Sequence, residues 1–173
     1  MKSKNIFLCF LIVVLTSACK EKSKKSDYLT IFTDNKTHAQ GYKNEKGEIV
    51  ISSSKYDYCF TDTFKTFAIV AKPKIGIVAI DRIENVLYEV FNFDNGPDEP
   101  VHGLFRIIKN NKIGFADIKT GKIMIEPKYE CAYQFENGKA KVSIQCTKIP
   151  EEEFEIWNSN NWYYIDFKGN KLK

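Results

Sequence analysis

Two histidines are all that this 173-residue sequence offers for imidazole chemistry, and they stand far apart, at His38 and His102. Neither has a cysteine or carboxylate at ligand spacing, so they do not assemble a zinc site. Each sits beside a turn-forming stretch and reads as a surface or turn residue. A Gly-Lys-Ser/Thr phosphate loop at Walker spacing is missing as well,. No cysteine has a nearby histidine to activate it as a nucleophile. Nothing fixes the separation of any carboxylate pair, as glycoside chemistry requires. The expectation is therefore a chain with no catalytic residues, no metal and no cofactor. Long apolar runs are missing too. The longest, Ile6–Leu15, has ten residues, half of the roughly 20 needed to cross a hydrocarbon core as a helix.

What that run does resemble is the apolar middle of a secretory signal. Lys2 and Lys4 precede it, and the small residues Ser17 and Ala18 follow it,. The next residue is Cys19. The stretch Leu15-Thr16-Ser17-Ala18-Cys19 resembles the lipobox of bacterial lipoproteins, whose cysteine is acylated after cleavage. Thr16 stands where that box prefers leucine, and Leu15 lies one place earlier. The resemblance implies a signal peptide at residues 1–18 and a lipid on Cys19. It implies export and anchoring to the cell membrane or outer membrane. Residues 19–26 then form a short tether with four lysines and one glutamate, too polar to fold,. A spacer in solvent and a contact with acidic head groups both suit it.

Charge reads differently once this leader is set aside. The whole chain is +4, but six of its lysines and only one of its acids precede Asp27. Residues 27–173 are left about one charge negative, with no basic stripe for nucleic acid. That length suits one domain with its own core. All but two of the aromatic residues, Phe7 and Phe10, fall within it, and such enrichment favours strands.

The domain is built from an imperfect repeat. Its clearest copy starts at Lys112-Ile113-Gly114-Phe115-Ala116-Asp117. It turns at Ile118-Lys119-Thr120-Gly121, runs through Lys122–Tyr129, and closes with Phe135–Val142. Parts recur at Gly41–Tyr56 with Phe64–Val70, at Lys74–Ile77 with Gly103–Ile107, and at Trp162–Lys171. Matching Gly41, Gly76 and Gly114 gives a period of roughly 35–38 residues, within the range of stacked-repeat folds. Asn44–Gly47, Asp117–Gly121 and Asp166–Gly169 are turns between alternating apolar segments,. Asn137-Gly138 is a two-residue hairpin turn. Beyond it, Ala140, Val142, Ile144 and Cys146 alternate with polar residues, one face apolar and one wet. Pro127 is placed at a strand end. No long amphipathic helix is visible, although Lys148–Trp157 has room for a turn or two.

This pattern resembles the WG-repeat, or KWG-repeat, proteins of bacteria. Their unit reads roughly Lys-Trp-Gly-Phe-Ile-Asp, a glycine turn, a short apolar strand, Pro-x-Tyr, then Phe-x-x-Gly-x-Ala-x-Val. Lys112–Val142 follows it except at the tryptophan, where Ile113 stands. The resemblance covers roughly Gly41–Lys171. Physical pattern and resemblance agree on an all-β fold of stacked antiparallel β-hairpin repeats in one domain over residues 27–173. No unit hides its apolar face alone; stacking builds the core.

Three further features carry alternatives. Cys131 and Cys146 lie on apolar faces of neighbouring strands, as a disulfide or as buried thiols. Counting from the Asn137-Gly138 turn sets Cys131 opposite about Ile144, so a disulfide needs a slipped register. The acidic loop Asp94–Glu99 offers oxygen ligands of the kind calcium takes, without EF-hand spacing, and reads better as a turn. Glu151–Glu153 reads as a solvated charge run. Function is expected to be non-enzymatic: a binding or scaffold module of the cell envelope. The alternatives are an envelope glycan-binding protein, with Tyr42, Tyr58, Tyr163 and Trp157 as candidate rings, or an immunity or inhibitor-type lipoprotein. Partners are then the membrane, through the anchor, and an envelope protein or glycan.

Overall fold

The computed structural model describes residues 27–151 and 154–173. The signal peptide, Cys19, the tether and the side chains of the Glu151–Glu153 run lie outside the described residues. Every regular element among the described residues is a β-strand, as the aromatic and β-branched content predicts.

Each repeat is a three-stranded antiparallel meander. The first comprises β1 (Leu29–Thr33), β2 (Gln40–Asn44) and β3 (Ile49–Ile51). Short strands β4 (Tyr58–Cys59) and β5 (Thr63–Phe64) lead to the second, which comprises β6 (Phe67–Lys72), β7 (Gly76–Asp81) and β8 (Val86–Val90). A small hairpin, β9 (Asn92–Phe93) and β10 (Gly96–Pro97), precedes the third: β11 (Leu104–Lys109), β12 (Lys112–Asp117) and β13 (Ile123–Tyr129). Strand β14 (Cys131–Glu136) then turns into β15 (Lys139–Ser143). An inserted hairpin, β16 (Thr147–Glu151) and β17 (Phe154–Asn158), separates β15 from its partner β18 (Tyr163–Ile165). The insert corrects the allowance for helix at Lys148–Trp157. Pro150 would break a helix there, and Thr147, Ile149, Ile156 and Trp157 suit a ladder,.

One turn recurs at the ends of β2, β7, β12 and β18. Asn44, Asp81 and Asp166 each accept, through Oδ1, the backbone N–H groups two and four residues on, at 2.9–3.0 Å. Asp117 makes the variant with Thr120 N and Oγ1. The side chain thereby replaces a backbone acceptor. The second of these turns was not among those expected, because Glu84, at φ 69°, stands where Gly47 and Gly169 stand. Its side chain is held by Lys55 and the Tyr56 hydroxyl.

Aligning units by these turns corrects the glycine match. Gly41 and Gly114 lie three residues before Asn44 and Asp117, but Gly76 lies five before Asp81, where Val78 holds the equivalent place. Gly41 and Gly114 sit under a bulged partner strand: a Cβ on either would come within 2.5 Å of the Ile51 or Ile125 carbonyl oxygen. In the third unit Ile113 pairs with Tyr129 and Phe115 with Ile125, two residues against four,. The second unit keeps a regular ladder there, Val78 with Glu89 and Ala79 with Tyr88, and has room for valine. Pro127 belongs to this bulge inside β13 rather than to a strand end. There its missing N–H costs the edge strand nothing,.

Alternate residues of the meanders feed successive cores. Ala68, Val70, Val78 and Ile80 pack on Leu29, Tyr42 and Ile51 of the first unit. Opposite faces of the same strands give Phe67, Ile69 and Ala79, which pack on Tyr88, Phe105, Ile107 and Ala116. The outer face of the third unit, with Ile113 and Phe115, packs on Phe135, Ala140, Val142 and Ile165. β6 and β11 are three places apart in the seven-stranded sheet β13-β12-β11-β8-β7-β6-β4, about 14 Å if it were flat. The Phe67 and Phe105 ring centroids are 6.5 Å apart and the Tyr88 hydroxyl reaches the Gly121 carbonyl. The sheet therefore curls around its middle core.

Candidate functional site

The irregular pieces between the second and fourth units gather on one side. There a cleft of about 680 Å³ is lined by Phe91, Phe93, Arg106, Tyr133, Ile156 and Trp157, with Glu89, Asn92, Asn111, Glu130 and Lys148 among its polar residues. Its floor is Arg106 on β11, buried at 4% exposure. The guanidinium donates to both oxygens of buried Asp98 and to the Ala132 carbonyl. The backbone N–H of Arg106 also donates to Asp98. Gln134 ties the same carboxylate to the Glu99 carbonyl. Phe91 lies 4.0 Å from the guanidinium carbon and Phe93 5.6 Å, so the cation has carboxylate, carbonyl and ring partners in place of water. The acidic loop expected at Asp94–Glu99 is thus a hairpin turn with positive φ at Asp94 and Asn95. Its one buried carboxylate is taken by arginine.

The cleft's wall depends on a bulge. Ala132 pairs with Val142 and Phe135 with Ala140, so Tyr133 and Gln134 together face Lys141. A bulge re-aims side chains, and Tyr133 is left 42% exposed. Its ring centroid lies 5.2 Å from that of Trp157 and 5.5 Å from that of Trp162; Trp157 in turn lies 5.8 Å from Phe91. Four rings, Phe91, Trp157, Tyr133 and Trp162, therefore form one continuous row. It passes from the cleft onto the outer face of the β14-β15-β18 sheet. There Lys141 Nζ lies 4.8 Å from the Trp162 ring, and Lys139 Nζ lies 4.5 Å from the ring of exposed Tyr164.

A disulfide fastens the hairpin that carries Trp157. Cys131 and Cys146 are bonded, with Cα atoms 6.0 Å apart, and Cys131 pairs with Ser143, not Ile144. The β14 bulge shifts the ladder away from Cys146 by one residue; what closes the gap is that β15 ends at Ser143 and the chain bends through Ile144 and Gln145. The apolar alternation expected through Cys146 also stops at Ser143: that serine is fully buried and Ile144 is 54% exposed. The Ser143 hydroxyl meets the Gln145 carbonyl and the Ser159 hydroxyl, closing the base of the insert.

Other candidates fall elsewhere. His38 and His102 occupy positive-φ turn positions, and His102 packs on Phe167. Among the proposed sugar-stacking rings, Tyr42 is wholly buried, with its hydroxyl donating to Thr61 O; burial drives its pKa upward. Tyr58 is exposed but sits on β4, away from the cleft, against Phe60. Tyr163 is half-buried on the third core beside Tyr129. Only Trp157 belongs to the row. Tyr133, Trp162, Phe91 and Arg106 were not singled out from sequence. The spacing of Phe91 and Phe93 in a Gly/Pro loop was the only local signal.

Fold and repeat turn together define a β-meander repeat protein. The WG containing repeat family matches residues 41–63 and 113–145, the segments that hold Gly41 and Gly114 with their bulges. Those two segments are WG repeats. No curated protein and no solved structure matches it.

Proposed function

We propose that the chain is an exported lipoprotein, held at the cell membrane or outer membrane through Cys19. In this reading its WG-repeat domain is a non-enzymatic binding module of the envelope. The supporting observation for binding is the row Phe91–Trp157–Tyr133–Trp162, half-exposed and braced by a buried ion pair and a disulfide. Rigid aromatic side chains offer large contact area at small entropic cost. For the anchor, support comes from the charged start, ten-residue apolar run and small-residue site before Cys19,.

Two measurements test the two halves. The full chain and its Tyr133→Ala variant are used to capture envelope material, scored for protein and for sugar. Recovery that requires Tyr133 supports the binding reading, and recovery indifferent to it sinks that reading. Membrane fractionation of Cys19→Ala should move the chain from the membrane to the soluble fraction; no movement rejects the anchor.

A further inference from the structure

We infer that the ligand of this cleft is a carboxylate-bearing oligosaccharide, which rests on the cleft being the binding surface. The rings of the row are tilted to one another by 79°, 64° and 44°. A flat stack of bases cannot lie on such a row. A glycan can, because each linkage rotates the next sugar ring, and the C–H faces of sugars pack on aromatic faces. The polar side chains beside the rings, Asn92 and Asn111 among them, suit hydroxyl groups.

The charge pattern selects an acidic sugar and sets its direction. Lys139 and Lys141 line the far side of Tyr133 together with Gln134, Glu136, Asn137 and Tyr164. The ion pairs among the described residues involve Lys55, Arg106 and Lys112. Lys139 and Lys141 instead rest on aromatic rings, with no carboxylate of the described residues within 4.0 Å. Two cations so placed on one open sheet face attract an anion. The other end of the cleft carries Glu89 and Glu130, the latter paired with Lys112. A negative sugar is therefore drawn to the Lys139–Lys141 end, because at the other end Glu89 and Glu130 stand with Lys148 and Lys112 and leave no excess of positive charge. Neutral sugar rings follow along Tyr133 and Trp157.

The test titrates the full chain in detergent with tetragalacturonate and with neutral chitotetraose. It reads the emission of Trp157 and Trp162, the chain's two tryptophans. The acid is expected to give a saturable change with a Kd at least about tenfold below that of the neutral sugar. Lys139→Gln with Lys141→Gln should erase that difference. Tyr133→Ala should abolish both changes while leaving near-ultraviolet circular dichroism folded. Equal affinity for the two sugars, or no saturable change with either, overturns the inference. If neither sugar binds but envelope capture still requires Tyr133, the ligand class falls and the binding module stands. If capture is also indifferent to Tyr133, both fall.

Discussion

Gly114 lies beneath the backbone of Ile125: a Cβ on it would stand 2.5 Å from the Ile125 carbonyl oxygen and 2.7 Å from the Pro127 nitrogen. Both neighbours are main chain, so a clash would have to be relieved by moving the β13 bulge. The glycine of the repeat is thus a packing requirement set by the partner strand. Gly114→Ala should destabilise the domain by about 1–3 kcal/mol, the usual range for overpacking. Gly96 supplies the control, because nothing approaches nearer than 4.0 Å to its Cβ position. Gly96→Ala should stay within about 0.5 kcal/mol. Urea unfolding of the two variants decides the matter, and equal losses would refute the packing argument.

The Arg106–Asp98 pair makes a second prediction. Arg106 is 4% and Asp98 2% exposed, and the pair joins the β9–β10 hairpin to β11 and β14. Arg106→Met leaves the carboxylate buried with its main charge partner gone, which should cost about 3–5 kcal/mol. Adding Asp98→Asn should recover part of that loss, because the remaining partner is then neutral. Thermal unfolding of the single and double variants measures the coupling. Additive losses would show that the two residues act separately.

A third prediction concerns acid. Hydrogen bonds from the Thr120 side chain and backbone hold the Asp117 carboxyl below its ordinary pKa, and those from the Asn170 side chain and backbone do the same for Asp166. A carboxylate with a depressed folded pKa contributes stability above its unfolded pKa, and that contribution disappears as pH falls through the folded value. Asn44 already performs the same turn without a charge. Asp166→Asn should therefore keep the turn and lose less stability than the parent chain between about pH 6 and pH 3. Urea midpoints at the two pH values check this. An unchanged pH slope would argue that Asp166 is not one of the groups that respond.

Local chemistry explains which parts were legible in the sequence. The turns at Asn44, Asp117 and Asp166 were readable because an Asx acceptor and a glycine sit within five residues of each other. The Asp81 turn was hidden by Glu84, whose positive φ is held by Lys55 and Tyr56, 29 and 28 residues away. The all-β fold followed from alternation, yet the alternation was carried too far past Ser143. A buried hydroxyl that bonds to Gln145 and Ser159 there ends the strand. The row of rings is drawn from β14, β17 and the segments before β9 and β18. Its key residue is turned outward by a bulge, which leaves no periodic trace. The disulfide was hidden likewise, because the bend at Ile144 and Gln145 that brings Cys146 back to Cys131 interrupts the alternation.

That disulfide carries the last prediction. It closes a span of 15 residues, worth about 3 kcal/mol by loop entropy alone. Its structural effect should be local, because the β16–β17 hairpin is an insert whose base is also closed by hydrogen bonds of Ser143, Gln145, Ser159 and Asn161. Cys146→Ser removes the covalent closure and leaves those bonds in place. The hairpin should then swing Trp157 away from Phe91 and Tyr133, and its indole should become more accessible to acrylamide. Trp162, held from the β18 side, should change little, so placing phenylalanine at 162 isolates the Trp157 signal. The repeat cores contain neither sulfur of the pair beyond Cys131 at the start of β14, and the strand content should survive. Loss of the far-ultraviolet β signal on breaking the bond would mean that the disulfide supports the repeat stack itself, and not only the wall of the cleft.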